Sequence, residues 1–505
     1  MRSISYVILI LFCLSCATNK RYTVNVPKTE FRGVWIATVV NIDWPKNSKD
    51  NVAKQKKDFI EILDFYQNLN FNAAIVQIRT AGDAFYKTEL APWSKYLTGK
   101  EGQAPTDFDK PLEWMIAETH KRGMEFHAWL NPYRATFDLD TLALSKTHDY
   151  YQHPDWMVKY GKKFYYNPGL PEVQQKLTAV IEEITANYEI DAIHFDDYFY
   201  PYKIQGETFN DSIAFQTNRL PDQSLEDWRR SNVDSLVKKA HQTIKNTKPW
   251  VQFGISPFGV WKNKNTDPKG SDTQAGQTTY EDLYADPLLW SEKGWLDYLV
   301  PQIYWSLEHP KASHRTIANW WSNTTTNTNL YIGNGTYKIK NNPDKAWNRK
   351  NEIPKQLSLA RAKTEITGNV FFSAKSLIGQ NENVTNLLKR KFYKFPIQNP
   401  ASPRKINRSV APIKIKTSSL VENKLEVCIS HKDSIPRFIH FYTIKNKAAI
   451  NEKLLIQKRY LSESEKESCS QLQLTKYQLK NPIGVSLIDA LGNESELQFI
   501  NPKTD

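Results

Sequence analysis

Between residues 31 and 377 the chain alternates short, almost uninterrupted apolar runs with longer segments whose apolar residues recur every three or four positions. The apolar runs fall at residues 32–39 (RGVWIATV), 72–78 (NAAIVQI), 125–130 (EFHAWL), 191–195 (DAIHF), 251–256 (VQFGIS), 296–304 (LDYLVPQIY), 330–334 (LYIGN) and 369–373 (NVFFS). Continuous runs of this length suit strands of a parallel sheet buried on both faces. The segments between them read as helices. Residues 54–69 carry Phe59, Ile62, Leu63 and Tyr66 on one face, and 171–188 carry Val173, Leu177, Val180 and Ile184, with Pro171 suited to a first turn. Strands and helices alternating eight times predict an α/β fold, a (β/α)8 TIM barrel over residues 29–380. A doubly wound sheet is the alternative, disfavoured by the count and by the lack of a Gly-rich first turn.

Beyond residue 377 the texture changes. Residues 381–407 form a basic, Pro-containing stretch that reads as a linker, and 408–505 break into short alternating segments such as LEVCIS and RFIHFYTI. Short strands at regular spacing predict a smaller C-terminal all-β sandwich of fibronectin or immunoglobulin type. At the other end, Arg2, the apolar run 6–14 (YVILILFCL) and Ser15-Cys16 read as an export signal, too short to span a membrane. Residues 1–16 resemble a bacterial lipoprotein signal, which implies lipidation of Cys16 and anchoring in the cell envelope, at the outer membrane; secretion or a periplasmic location is the alternative. In an oxidising compartment the two downstream cysteines, Cys428 and Cys469, allow one disulfide. No zinc-like spacing, phosphate-cradling loop or nucleophile elbow is present, so neither metal nor cofactor is expected.

The formal net charge of +13 raises nucleic acid as a partner. Export argues against it. The 15 Trp and 25 Tyr point instead to flat stacking surfaces of the kind that bind sugar rings.

The chemistry concentrates in residues 190–201, IDAIHFDDYFYP, where an apolar strand runs into Asp196 and Asp197 among Tyr198, Phe199 and Tyr200. An unpaired buried carboxylate costs several kcal/mol or shifts its pKa, so such a pair is either partnered or used. In a barrel the residues after each strand form one ring around the active-site mouth. Here that ring reads Asn41, Asp43 and Trp44; Arg79 and Asp83; His127, Trp129, Asn131 and Arg134; His194, Asp196, Asp197 and Tyr198; Ser256 and Trp261; Gln302, Tyr304 and Trp305; then Asn334, Tyr337 and Lys375. Asp43, Trp44, Arg79, Asp83, His127, Asn131, Arg134, His194, Tyr198, Tyr200, Gln302, Tyr304 and Trp305 are the expected substrate-binding set, with Trp44, Tyr198, Tyr200 and Trp305 as stacking faces.

The segments FRGVWIATVVNIDWP, QIRTAGDAFY, FHAWLNPYR, YNPGLPEV, IDAIHFDDYFYP, YEDLYADPLLW and WLDYLVPQIYW resemble those of the glycosyl-hydrolase-like family 10, across roughly residues 29–340. The resemblance implies a (β/α)8 barrel distantly related to α-amylase-like and α-galactosidase-like hydrolases, with bacterial cell-wall (peptidoglycan) strands as a substrate class and a strand-four aspartate as nucleophile. The matching residue is Asp196, with His194 where amylase-like enzymes carry arginine. Glycoside hydrolysis needs a second carboxyl role as proton donor. The fifth strand ends Ser256-Pro257-Phe258-Gly259 without an acid, so Glu308 after the sixth strand is the expected donor, with Asp83 as alternative and Asp197 in support. A retaining glycoside hydrolase is the expectation; a glycan-binding lipoprotein that keeps the barrel without catalysis is the rival. If Cys16 is lipidated, the exported protein partitions with membranes and Cys16→Ser releases it or blocks its processing; a soluble wild type in cell fractionation refutes the anchor.

Overall fold

The computed structural model describes residues 27–444 and 453–502; Cys16 lies outside the described residues. Eight parallel strands close into a barrel in chain order: β1 (Phe31–Ile36), β2 (Ala73–Arg79), β3 (Glu125–Leu130), β4 (Ala192–Phe195), β5 (Gln252–Ile255), β6 (Tyr298–Leu299), β7 (Asn329–Asn334) and β8 (Ile366–Phe371). Pairing of Phe31 with Gly368 and of Val34 with Phe371 joins the first strand to the last. The sixth strand is far shorter than its apolar run. Pro301 has no N–H to give to a ladder, and beyond it only isolated bridges from Gln302 to Phe258 and Gly333 continue the pairing.

Helices cover the barrel as the periodicity predicts. Asn51 caps Val52–Asn68 by accepting from Lys54 N at 2.9 Å, and Pro171 opens Pro171–Asn187, whose Val173, Leu177, Val180 and Ile184 are buried. Inside the barrel lies a separate cluster that includes Phe31, Trp35, Ile75, Trp129, Tyr298, Tyr331 and Val370. The rings of Phe31 and Tyr331 stack at 4.2 Å. Gly254 is demanded here: a Cβ on it would lie 2.0 Å from the Tyr298 ring.

After the third strand the chain inserts a hairpin, Met157–Tyr160 paired with Lys163–Tyr166, which the sequence reading passed over. Its signal is the alternation of MVKY and KFYY around Gly161, which adopts φ 56°.

Among the described residues the C-terminal domain has seven strands, β9 (Lys414–Val421), β10 (Lys424–Ser430), β11 (Pro436–Ile444), β12 (Lys453–Tyr460), β13 (Glu467–Gln473), β14 (Ile483–Asp489) and β15 (Gln498–Ile500). They form antiparallel sheets in the orders β9-β10-β13 and β12-β11-β14-β15, with Val427, Ile429, Ile439, Phe441, Val485 and Leu487 between them. Cys428 and Cys469 are disulfide-bonded between the paired strands β10 and β13, on the outer face of one sheet. The stretch expected as a linker is no free tether. Helix Glu382–Leu387 and the turn after it set Val384, Leu388, Phe392 and Tyr393 into the barrel's outer core, and Arg32 donates to Phe395 O at 2.8 Å. Among the described residues no helix is long and apolar enough to cross a membrane.

The sandwich docks on the end of the barrel where the strands begin. Arg437 of β11 donates to Asp191 Oδ1 at 2.8 Å, and the other oxygen of Asp191 pairs with His120 and the Phe126 N–H, each at 2.7 Å. Burial alone would raise the Asp191 carboxyl, but Arg437 and His120 hold it well below the usual range. A buried ion pair deprived of one partner loses roughly 3–5 kcal/mol. Arg437→Met is therefore expected to lower the urea midpoint strongly at pH 7. The depressed carboxyl adds stability above its unfolded value of about 4 and loses it as pH falls towards the native value, so the gap between wild type and Arg437→Met should narrow in acid.

Candidate active site

Side chains alternate along β4, with Ala192 and His194 towards the axis and Ile193 and Phe195 towards the helices. Carried one step past the strand, that alternation sets Asp196 over the axis at the open end. Its Oδ2 accepts from Trp129 Nε1 at 3.1 Å and Asn131 Nδ2 at 3.0 Å, and its Oδ1 from Tyr198 N at 3.3 Å. Asn131 is itself oriented, because its Oδ1 accepts from Arg134 N at 3.0 Å. The Arg134 guanidinium lies 4.4 Å over the Tyr198 ring and donates to Thr80 O. Asp197 takes a hydrogen bond from Tyr202, and the side-chain amide of Gln302, which donates to Ser256 O at 2.9 Å, also acts on it.

The two carboxyl groups are 4% and 3% exposed. Burial pushes Asp196 up to about 7; Arg134 and the indole of Trp129 pull it back, while the charge of Asp197 adds to the rise. Burial raises Asp197 too, offset in part by Tyr202 and Gln302. Near neutrality the pair thus holds a proton that free carboxylates would have lost.

Around the pair stand half-buried rings in edge contact: Tyr198 with Tyr202 at 5.4 Å, Tyr202 with Phe258 at 6.0 Å and Phe258 with Trp305 at 5.5 Å. Tyr304 stacks on Phe372 at 5.9 Å across the mouth. Phe258 and Phe372 were missed from sequence because each follows the end of a strand, where nothing local reports which way it turns.

Of the expected set, the fold brings Asn131, Arg134, Asp196, Asp197, Tyr198, Gln302, Tyr304 and Trp305 to this mouth, and the others serve elsewhere. Trp44 is wholly buried between Phe59 and Phe85 and donates to Gln55 O, and Tyr200 packs against Phe209 and Tyr284, so neither offers a stacking face. Asp43 ties the first strand to the last, accepting from Ala37 N, Ser373 Oγ and Lys375 N at 2.7–2.9 Å. Asp83 closes its own loop on Thr80 and Ala81, and Arg79 is buried against Tyr166. His127 and His194 lie fully buried below the carboxyl pair. Glu308, the expected proton donor, is 71% exposed and paired with Arg315 at 2.7 Å. Among the described residues no group of three or more His, Cys, Asp or Glu is placed to hold a metal ion.

The family model described as Glycosyl hydrolase-like 10 matches residues 30–349. The chain is 45% identical over 408 residues to glycosyl hydrolase YngK of Bacillus subtilis, covering 80% of this chain and 79% of that one. It is 39% identical over 366 residues to glycosyl hydrolase DigH of Escherichia coli K12, covering 68% and 82%. Among solved structures, the PgaB (BpsB) glycoside hydrolase domain of Bordetella bronchiseptica aligns with TM-score 0.47 at 9% identity, over 72% of this chain and 98% of that one.

A carboxyl raised by burial destabilises the fold once pH exceeds its unfolded value of about 4, because the native site keeps a proton the unfolded chain releases. Asp196→Asn removes that conflict. It should raise Tm by a few degrees at pH 8 and leave it unchanged at pH 4, measured by calorimetry; an equal change at both would contradict the desolvated carboxyl.

Proposed function

The chain belongs to the glycosyl hydrolase-like 10 family, and we propose that it is a retaining glycoside hydrolase acting on bacterial cell-wall glycan, with Asp196 as nucleophile and Asp197 as acid and base. The observation that carries this reading is the pair of buried carboxyl groups, one aimed along the axis by three N–H donors, inside a ring of half-open aromatic faces. Three donors on Asp196 favour its ionised form, and an anion at that point stabilises the positive charge that develops on a sugar ring as its glycosidic bond breaks. Asp196 then bonds to the anomeric carbon while the proton of Asp197 passes to the departing oxygen. In the second half water attacks that carbon, Asp197 takes its proton and Asp196 is released. Because Glu308 faces solvent, the proton-donor role falls to Asp197 rather than to the loop after β6.

A polymer has room here. Tyr96, Phe137, Tyr160 and Tyr165 line an open groove of about 890 Å³ beside the mouth, walled by the inserted hairpin. Export and lipid anchoring through Cys16 would put the enzyme next to such a substrate.

Asp196→Asn is expected to lower turnover of cell-wall glycan by about 10³-fold or more. With azide, Asp196→Gly should yield a glycosyl azide of inverted configuration at the anomeric carbon. Asp197→Asn should keep most of its kcat/KM on aryl glycosides whose leaving groups need little protonation, while kcat falls because the second half still needs a base. In wild type, kcat/KM should rise with pH up to about 7, as Asp196 loses its proton. Binding of glycan with no turnover by the wild type would favour the non-catalytic alternative.

A further inference from the structure

We propose that a one-way chain of hydrogen bonds along the barrel axis, Trp35 to His194 to Tyr298 to His127 to Glu125, locks the two histidines as opposite neutral tautomers and makes His194 and Tyr298 positioning residues for Asp196. The proposal rests on the reading of Asp196 as the catalytic carboxyl. Barrel interiors are ordinarily filled by layers of branched apolar side chains; a polar layer at this depth must be satisfied throughout or it destabilises the core.

The direction of the chain follows from its ends. An indole N–H only donates, so the His194 Nε2 that lies 3.2 Å from Trp35 Nε1 accepts. The ring is neutral, since burial drives it well below the ordinary imidazole range. Its proton therefore sits on Nδ1 and is donated to the Tyr298 hydroxyl at 3.1 Å. Tyr298 donates onward to His127 Nδ1 at 2.8 Å, which leaves the His127 proton on Nε2, 3.1 Å from Glu125 Oε2. His194, Tyr298 and His127 each accept one bond and give one along the chain, and Gly254 on β5 makes the space that Tyr298 needs to sit between the two imidazoles.

The link to the site is short. His194 stands opposite Trp129 in the β3–β4 register, and Trp129 is a donor to Asp196. His127 lies two residues below Trp129, as His194 lies two below Asp196, so the chain fixes the separation of the two strands in the layer under the carboxyl group. Ser256 adds a second tie: its one hydroxyl proton is shared between His194 Nε2 at 3.0 Å and, at 3.3 Å, Phe195 O, the carbonyl that precedes Asp196.

Two-bond 1H–15N correlation of the imidazole rings in the full chain tests the assignment without any substrate. The expected spectrum at neutral pH has a bare Nε2 on His194 and a bare Nδ1 on His127, and the His194 ring stays neutral down to about pH 5.5, through the range in which a free imidazole titrates; a protonated His194, or the reverse tautomer on either ring, overturns it. Tyr298→Phe should then lower kcat on cell-wall glycan by about 10-fold or more, with KM within about twofold. Ser256→Ala, which removes one oxygen and leaves the core filled, should lower kcat in the same sense. Assigned tautomers with unchanged kcat in both variants, while Asp196→Asn is inactive, overturn the positioning role. An active Asp196→Asn instead overturns the catalytic reading beneath it.

Discussion

Asp196 sits where water is largely excluded, and an ionised carboxylate there costs several kcal/mol unless its surroundings replace the lost hydration. The surroundings do so with fixed donors. Trp129 and Asn131 come from β3 and the loop after it, Tyr198 N from the turn after β4, and Arg134 supplies a nearby positive charge. Preorganised donors of this kind need no rearrangement as charge develops, which is what makes them effective in catalysis. The incomplete compensation, visible in the raised Asp196, leaves a proton within the pair near neutrality.

Holding those donors in place is a task shared by distant parts of the barrel. Asp43 ties the end of β1 to the residues after β8, and the hairpin after β3 anchors the loop that carries Arg134, through pairing of Arg134 with Tyr165 and the bond from Tyr166 N to Tyr133 O. Beneath the site, aromatic rings and two imidazoles share the axis with aliphatic side chains such as Ile75 and Val370. Aromatic packing makes the floor stiff, because each ring meets several others at fixed angles.

The opposite end of the barrel is given to docking. Asp191, one residue before β4, lies at the opposite end from the carboxyl pair and binds Arg437 of the sandwich, so a single strand carries the interdomain clasp at its start and the two acids just past its end. Between the domains Glu125, Asn399, His440 and Lys458 line a cavity of about 330 Å³. The disulfide lies far from this contact in kind: it staples two strands of one sheet and joins neither the sheets nor the domains.

The barrel was legible in the chain because strand runs and helix periods are local: the eight apolar runs and their order follow from spacing along the sequence. The pairing Asp196-Asp197 at the close of the fourth run was equally visible, since a charge ending an apolar strand stands out wherever the chain folds. What the sequence could not carry is the direction of side chains on irregular segments. Trp44 and Trp305 both follow strands, yet one is wholly buried under Phe59 and Phe85 while the other stands half-open beside Phe258. His127 and His194 lie within strands, one turn of the two-residue alternation too deep to meet a substrate, and Glu308 is turned to solvent by Arg315. Periodicity is set by each residue's own neighbours in the chain, whereas burial, donor geometry and the proton held between two carboxyl groups arise only when segments far apart in the chain, such as those carrying Asn131 and Asp196, 65 residues apart, are brought into contact.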